Sequence, residues 1–155
     1  MKKLLFAFLL GCVPFAGYAQ EPTMAALFKE MPDSLMPYLT KNNRLDMLDF
    51  MEAGMKAEVT NRLEGRSVMT FLSADSLFLQ LSDVLTVGMK LQQVDEPIDS
   101  SRVLIRVLRT YVVNEKQAEC IEDVYTSAWR CLQSKMERSS LLKRDETLFE
   151  QQIHR

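Results

Sequence analysis

From Lys56 onward the apolar residues of this chain recur at every second position, and that period limits what it can fold into more than any other property it has. The cleanest run is Leu85, Val87, Met89 and Leu91, set against Thr86, Gly88, Lys90 and Gln92. Successive strand residues point to opposite faces, so the run has a dry face and a wet one, as in an antiparallel sheet covered on a single side. The same alternation puts Ala57, Val59 and Leu63 on one side of an earlier strand, with Glu64-Gly65-Arg66 as a turn and Val68 to Leu72 as its partner. After a turn at Ala74-Asp75-Ser76, Leu77, Leu79 and Leu81 alternate with Phe78 and Gln80. Asp95 to Ser101 reads as a loop, and Val103 to Val113, rich in β-branched residues, as a further strand.

Upstream of Lys56 the period is helical. Met24, Leu27, Phe28 and Met31 predict a first helix over Thr23–Met31, which Pro32 ends. Asp33 to Leu39 reads as one further turn, with Asp33 as its cap. A second helix is predicted from Arg44 to Ala53, with Asn43 as cap, Asp46 near the positive end of the dipole and Gly54 as the stop. Residues 115 to 138 fit two readings: Ala118, Ile121, Tyr125, Ala128, Leu132 and Met136 match helical spacing, while Glu119 to Thr126 can also form a strand. From Ser134 the chain mixes charges with Leu141, Leu142, Leu148, Phe149 and Ile153, the pattern of a marginal amphipathic helix or a frayed end. The fold expected is α+β: two or three N-terminal helices packed on one face of an antiparallel β-meander of about five or six strands, plus a C-terminal tail helix.

The first nineteen residues read as an export signal, with Met1-Lys2-Lys3 as a cationic start, Leu4 to Val13 apolar and Gly17-Tyr18-Ala19 as a small-x-small ending. Residues 20–133 then form a single domain and residues 134–155 a charged tail, in a protein expected to be periplasmic or secreted. Leu9-Leu10-Gly11-Cys12 also matches a lipobox, which would make the chain a lipoprotein anchored at Cys12. Soluble export is the favoured reading, because apolar sequence continues past Cys12 through Val13, Phe15 and Ala16 to the cleavage site. With Lys2 and Lys3 removed, 17 basic residues face 21 acidic ones. That balance argues against nucleic acid as a partner, and leaves a membrane in play only through a lipid on Cys12.

Chemistry is largely excluded by residue type. Ser/His/Asp and Cys/His catalysis need an imidazole held beside the nucleophile, and the single histidine, His154, is one residue from the end. Cys120 and Cys131, eleven apart, do not make a zinc cluster; they could be bridged or be small buried residues. Asp95, Glu96 and Asp99 beside Ser100 and Ser101 lack the order of a known calcium loop, and Gly54, Gly65 and Gly88 are too isolated to cradle a phosphate. No catalytic residue, metal site or cofactor is therefore predicted. Met47, Met51 and Met55 form a stripe along the second helix, suited to core filling, to a partner surface or to soft Cu(I). The candidate binding residues are the polar patch Thr40, Lys41, Asn42, Asn43 and Arg44, with Asp46.

Met31-Pro32-Asp33-Ser34-Leu35-Met36-Pro37-Tyr38-Leu39-Thr40-Lys41-Asn42-Asn43-Arg44-Leu45-Asp46, with Asp49-Phe50-Met51 and Met55-Lys56-Ala57-Glu58-Val59-Thr60, resembles a family of exported Bacteroidetes proteins catalogued only as a domain of unknown function. The resemblance takes in roughly residues 1 to 133, including Leu72-Ser73-Ala74-Asp75-Ser76 and Val124-Tyr125-Thr126-Ser127-Ala128-Trp129; the tail beyond Lys135 departs from it. It implies an exported protein with helices first and then an antiparallel meander, in which the Tyr-Thr-x-x-Trp stretch is a last strand. No activity comes with it. The function expected is a non-catalytic envelope protein that binds another protein or a small ligand. The alternative is a carboxylate-dependent hydrolase of envelope carbohydrate, using Asp46 and Asp49 one helical turn apart.

Overall fold

A computed structural model describes residues 21–113 and 116–138. The expected signal segment with Cys12, the tail beyond Arg138 and His154 lie outside them. Seven strands form one antiparallel sheet in simple sequence order: β1 (Ala57–Thr60), β2 (Arg66–Leu72), β3 (Ser76–Ser82), β4 (Leu85–Ile98), β5 (Ser101–Val113), β6 (Lys116–Thr126) and β7 (Cys131–Arg138). Before them come α1 (Met24–Glu30), a single 3-10 turn at Asp33–Leu35 and α2 (Lys41–Glu52).

The α+β expectation is overturned. Among the described residues, α-helix is confined to one element of 7 residues and one of 12, whereas β4 and β5 alone run for 14 and 13. The described residues form a sheet fold with two short helices. Two misreadings account for the difference. Asp95 to Ile98 is the end of β4 rather than loop, because the β4–β5 hairpin closes through only Asp99 and Ser100, both at positive φ (49° and 65°) as a two-residue type I′ turn requires. Of the two readings of residues 115 to 138 the strand one holds for β6, but Tyr125-Thr126 does not end the last strand: residues 131–138 follow as β7 and satisfy their backbone groups by pairing with β6. Ser134 to Arg138 is thus strand, not the start of a helical tail.

The helices lie on the inner face of the sheet. The core holds Met24, Leu27 and Phe28 from α1 and Met47 from α2, against Leu77, Leu79, Leu81, Leu85, Val87, Met89, Ile105 and Val107. Of the methionine stripe, only Met47 is fully buried; Met51 is half-buried and Met55 is exposed. The start of α2 also differs from expectation. Thr40 is the cap, accepting from the Asn43 amide at 3.1 Å while the Asn43 side chain accepts from the Thr40 amide at 3.0 Å. Each end of this capping box satisfies an amide that the first helical turn leaves unpaired. At the other end Gly54, at φ 67°, lets its own amide reach Met51 O and the Met55 amide reach Phe50 O, the reciprocal pattern of a Schellman stop.

Trp129 ties the last strands to the first helix. It sits at φ 60° in the turn between β6 and β7, an uncommon conformation for a bulky residue. Its ring is buried 5.7 Å from that of Tyr125, and its indole N–H donates to Leu27 O at 3.1 Å. Burial of ring and hydrogen bond together hold the backbone there. Trp129→Phe keeps most of the apolar contact but strands a buried carbonyl, so urea unfolding should show a loss of about 2 kcal/mol with the slope unchanged.

Candidate functional site

The polar patch singled out between the helices is mostly structural. Arg44 is 1% exposed. Its guanidinium donates to Met31 O at 2.6 Å and Leu39 O at 3.3 Å, and pairs with Asp33 at 2.8 Å. It therefore collects carbonyls at the end of α1 and ahead of α2 around one buried charge, and Asp33 serves this pair rather than a helix cap. Thr40 and Asn43 are occupied by the capping box, and Asn43 Nδ2 also donates to Thr60 O at 3.2 Å on β1. Lys41 meets Glu30 at 3.5 Å on the surface. Asn42 and Asp46 are exposed. Asp49 is exposed as well, so the two acids of the hydrolase alternative stand on an open helix surface instead of converging in a cleft.

A second polar cluster, on the inner face of β5, β6 and β7, was missed at the level of sequence. The Asp123 carboxylate is buried and accepts from the Arg109 guanidinium, from Ser134 Oγ and, at 3.2 Å, from the Tyr125 hydroxyl. Arg109 also donates to Leu35 O at 3.2 Å, which binds the 3-10 turn to the sheet. Burial works against the Arg109 charge, yet hydrogen bonds to Tyr125 and Asp123 outweigh it and raise its pKa. Burial pushes the Tyr125 phenol up, with Arg109 working the other way. The signal in the sequence was a set of polar residues at inward positions of alternating strands, where Val107 and Ile105 mark the dry side.

The outer face carries a groove. Cross-strand partners share a face, and the pairings Phe71–Phe78, Phe78–Gly88, Gly88–Leu108, Leu108–Glu122 and Glu122–Lys135 define one continuous row. Gly88 leaves a gap in it, and a Cβ there would lie 3.5 Å from the Phe78 ring, an ordinary contact. Phe71, Phe78 and Leu108 remain 53%, 42% and 44% exposed around that gap. The resulting cleft measures about 420 Å³, with Lys90, Arg106 and Glu122 on its rim. Arg106 donates to Glu122 through both Nε and Nη2, while Lys90 lies directly across from Arg106. An isolated glycine inside an alternating strand was the clue available, together with Phe78 and Leu108 on the side that should be wet.

A family model described as Protein of unknown function (DUF3256) matches residues 18–150. The chain belongs to that family. A solved structure described as a domain of an uncharacterized protein from Porphyromonas gingivalis W83 is similar, at 28% identity and a TM-score of 0.53. The match takes in 69% of this chain and 53% of that one, so this chain spans about half the length of the structure it resembles. No curated protein matches. The family match reaches past Lys135, the point at which the sequence resemblance stops.

Cys120 and Cys131 are free thiols. Cys131 pairs with Tyr125 and Cys120 with Glu137, which sets them six residues apart along β7, about 20 Å. That is far beyond the 7 Å or so a disulfide spans.

Two outcomes follow for the Asp123 cluster. Asp123→Asn leaves the Arg109 charge without its counter-ion and should cost about 3 kcal/mol, part of which Arg109→Met restores in the double variant. The phenol of unfolded chain ionises near pH 10, and Tyr125 above it in the fold; its contribution is therefore complete below about pH 10 and lost as pH rises through the folded value. An alkaline tyrosinate titration should show a late step that Tyr125→Phe removes.

Proposed function

We propose that this chain is a non-catalytic binding protein of the cell envelope, and that it holds a protein partner through the groove at Gly88. The envelope placement follows from the export pattern of the first nineteen residues. The single observation that carries the binding reading is the apolar row Phe71, Phe78 and Leu108, left open around a missing side chain on the face of the sheet opposite the helices. A contiguous exposed apolar patch with a polar rim is the usual mark of an interaction surface. The cleft suits one apolar anchor side chain, and hot-spot residues at protein interfaces fill pockets of this kind.

The rim narrows the partner further. Lys90 and Arg106 are cross-strand neighbours of like charge, an arrangement that is unfavourable in isolation. Glu122 answers Arg106, and Lys90, with the Asp75 carboxylate near it, lines the cleft rim. An acidic residue beside the anchor complements it.

The test places a photo-crosslinking phenylalanine analogue at Phe78 and, as control, at Glu52 on α2, in cells that export the protein. An adduct with one partner from position 78 alone, lost when Gly88→Leu fills the cleft without disturbing the fold, is the expected result. Blocking the cleft should weaken binding to that partner at least tenfold. Equal labelling from both positions, or an adduct indifferent to Gly88→Leu, would remove the proposal.

A further inference from the structure

The two edges of the sheet are treated differently. β1 has only 4 residues and is guarded, since its Thr60 carbonyl accepts from Asn43 of α2. β7 has 8 residues, Cys131 to Glu137 are all exposed, and among the described residues no strand pairs with its outer side. An open strand edge of this length presents unpaired backbone groups to any other extended chain. A lysine on such an edge usually keeps others away. Here Lys135 is answered by Glu137 two residues on, at 2.6 Å, so the edge is not a cationic barrier.

We infer that β7 pairs with β7 of a second copy of this chain, antiparallel and centred on Met136. The register follows from symmetry. A two-fold axis perpendicular to the sheet keeps the outer face of one copy continuous with the outer face of the other, so each residue must pair with one on its own face. Only registers centred on a residue satisfy this. Centring on Lys135 sets Lys135 against itself, and centring on Glu137 sets Glu137 against itself, both unfavourable. Centring on Ser134 leaves Lys135 opposite Gln133. Centring on Met136 sets Lys135 opposite Glu137 of the second copy, twice. Each of these charges then lies between two of opposite sign, one in its own strand and one across the axis. On the inner face it sets Met136, 56% exposed, against its symmetry mate.

The resulting fourteen-stranded sheet presents both Gly88 grooves on the same face, though the pairing does not rest on what the grooves bind. The interface is small and partly ionic, so the association is reversible and weakened by salt.

Sedimentation of the whole chain downstream of Ala19 tests it. A concentration-dependent dimer is expected, weakened at least tenfold by Lys135→Glu or Glu137→Lys alone and recovered in the double variant that exchanges the two charges. In a background with Cys120 and Cys131 replaced by serine, Met136→Cys should crosslink to itself under mild oxidation while Gln133→Cys does not. A monomer at all concentrations, as when residues beyond Arg138 cover the edge themselves, would overturn the inference. So would a folded charge-exchanged double variant that stays monomeric, or equal crosslinking at positions 133 and 136.

Discussion

A seven-stranded sheet has one face that must leave water, and the described residues supply only 7 and 12 residues of α-helix with which to cover it. The segment from Met24 to Glu52 serves that requirement. Two helices and a 3-10 turn lie across the inner face, filled with methionine because an unbranched, adaptable side chain fits the uneven surface of a twisted sheet. Short helices are marginal on their own. They are pinned instead by a few buried polar contacts: Arg44 drawing in Met31 O and Leu39 O, Arg109 holding Leu35 O, and Trp129 holding Leu27 O. Each uses a long donor to satisfy carbonyls at a helix end or turn that the fold would otherwise bury unpaired.

The parts of the fold legible in the sequence were those whose period had no competitor. Leu85, Val87 and Met89 alternate too strictly to be anything but strand, and they are buried on one face as that alternation requires. Pro32 and Gly54 mark helix ends through chemistry that acts within a few residues. Where the spacing suited both periods, from Ala118 to Met136, pairing across strands decided the outcome, and that is a non-local property. At Thr40 and Asn43 either residue could cap. The reciprocal box is a matter of geometry that composition does not carry. The candidate site was legible least of all. Thr40, Asn43 and Arg44 drew notice because they are polar and dense, yet their bonds go inward to the fold. The open groove arises from one glycine aligned with residues of three other strands, and the row exists only once the register is known.

The two faces of the sheet divide the work. The inner face carries stability, including a buried carboxylate whose partners come from three strands. Among the described residues no helix lies on the outer face, and its apolar residues are tolerable in water because charged neighbours such as Lys90, Arg106 and Glu122 break them up. A surface spared from packing can change without unfolding the protein. Residues around the gap at Gly88 can therefore be substituted without touching the core.

The Trp129 bond to Leu27 spans 102 residues of sequence. Helix α1 is thus completed by a turn made long after it, and until that turn arrives α1 has no indole on which to settle its Leu27 carbonyl. Contacts of such long range slow folding, because loop closure must precede the reward.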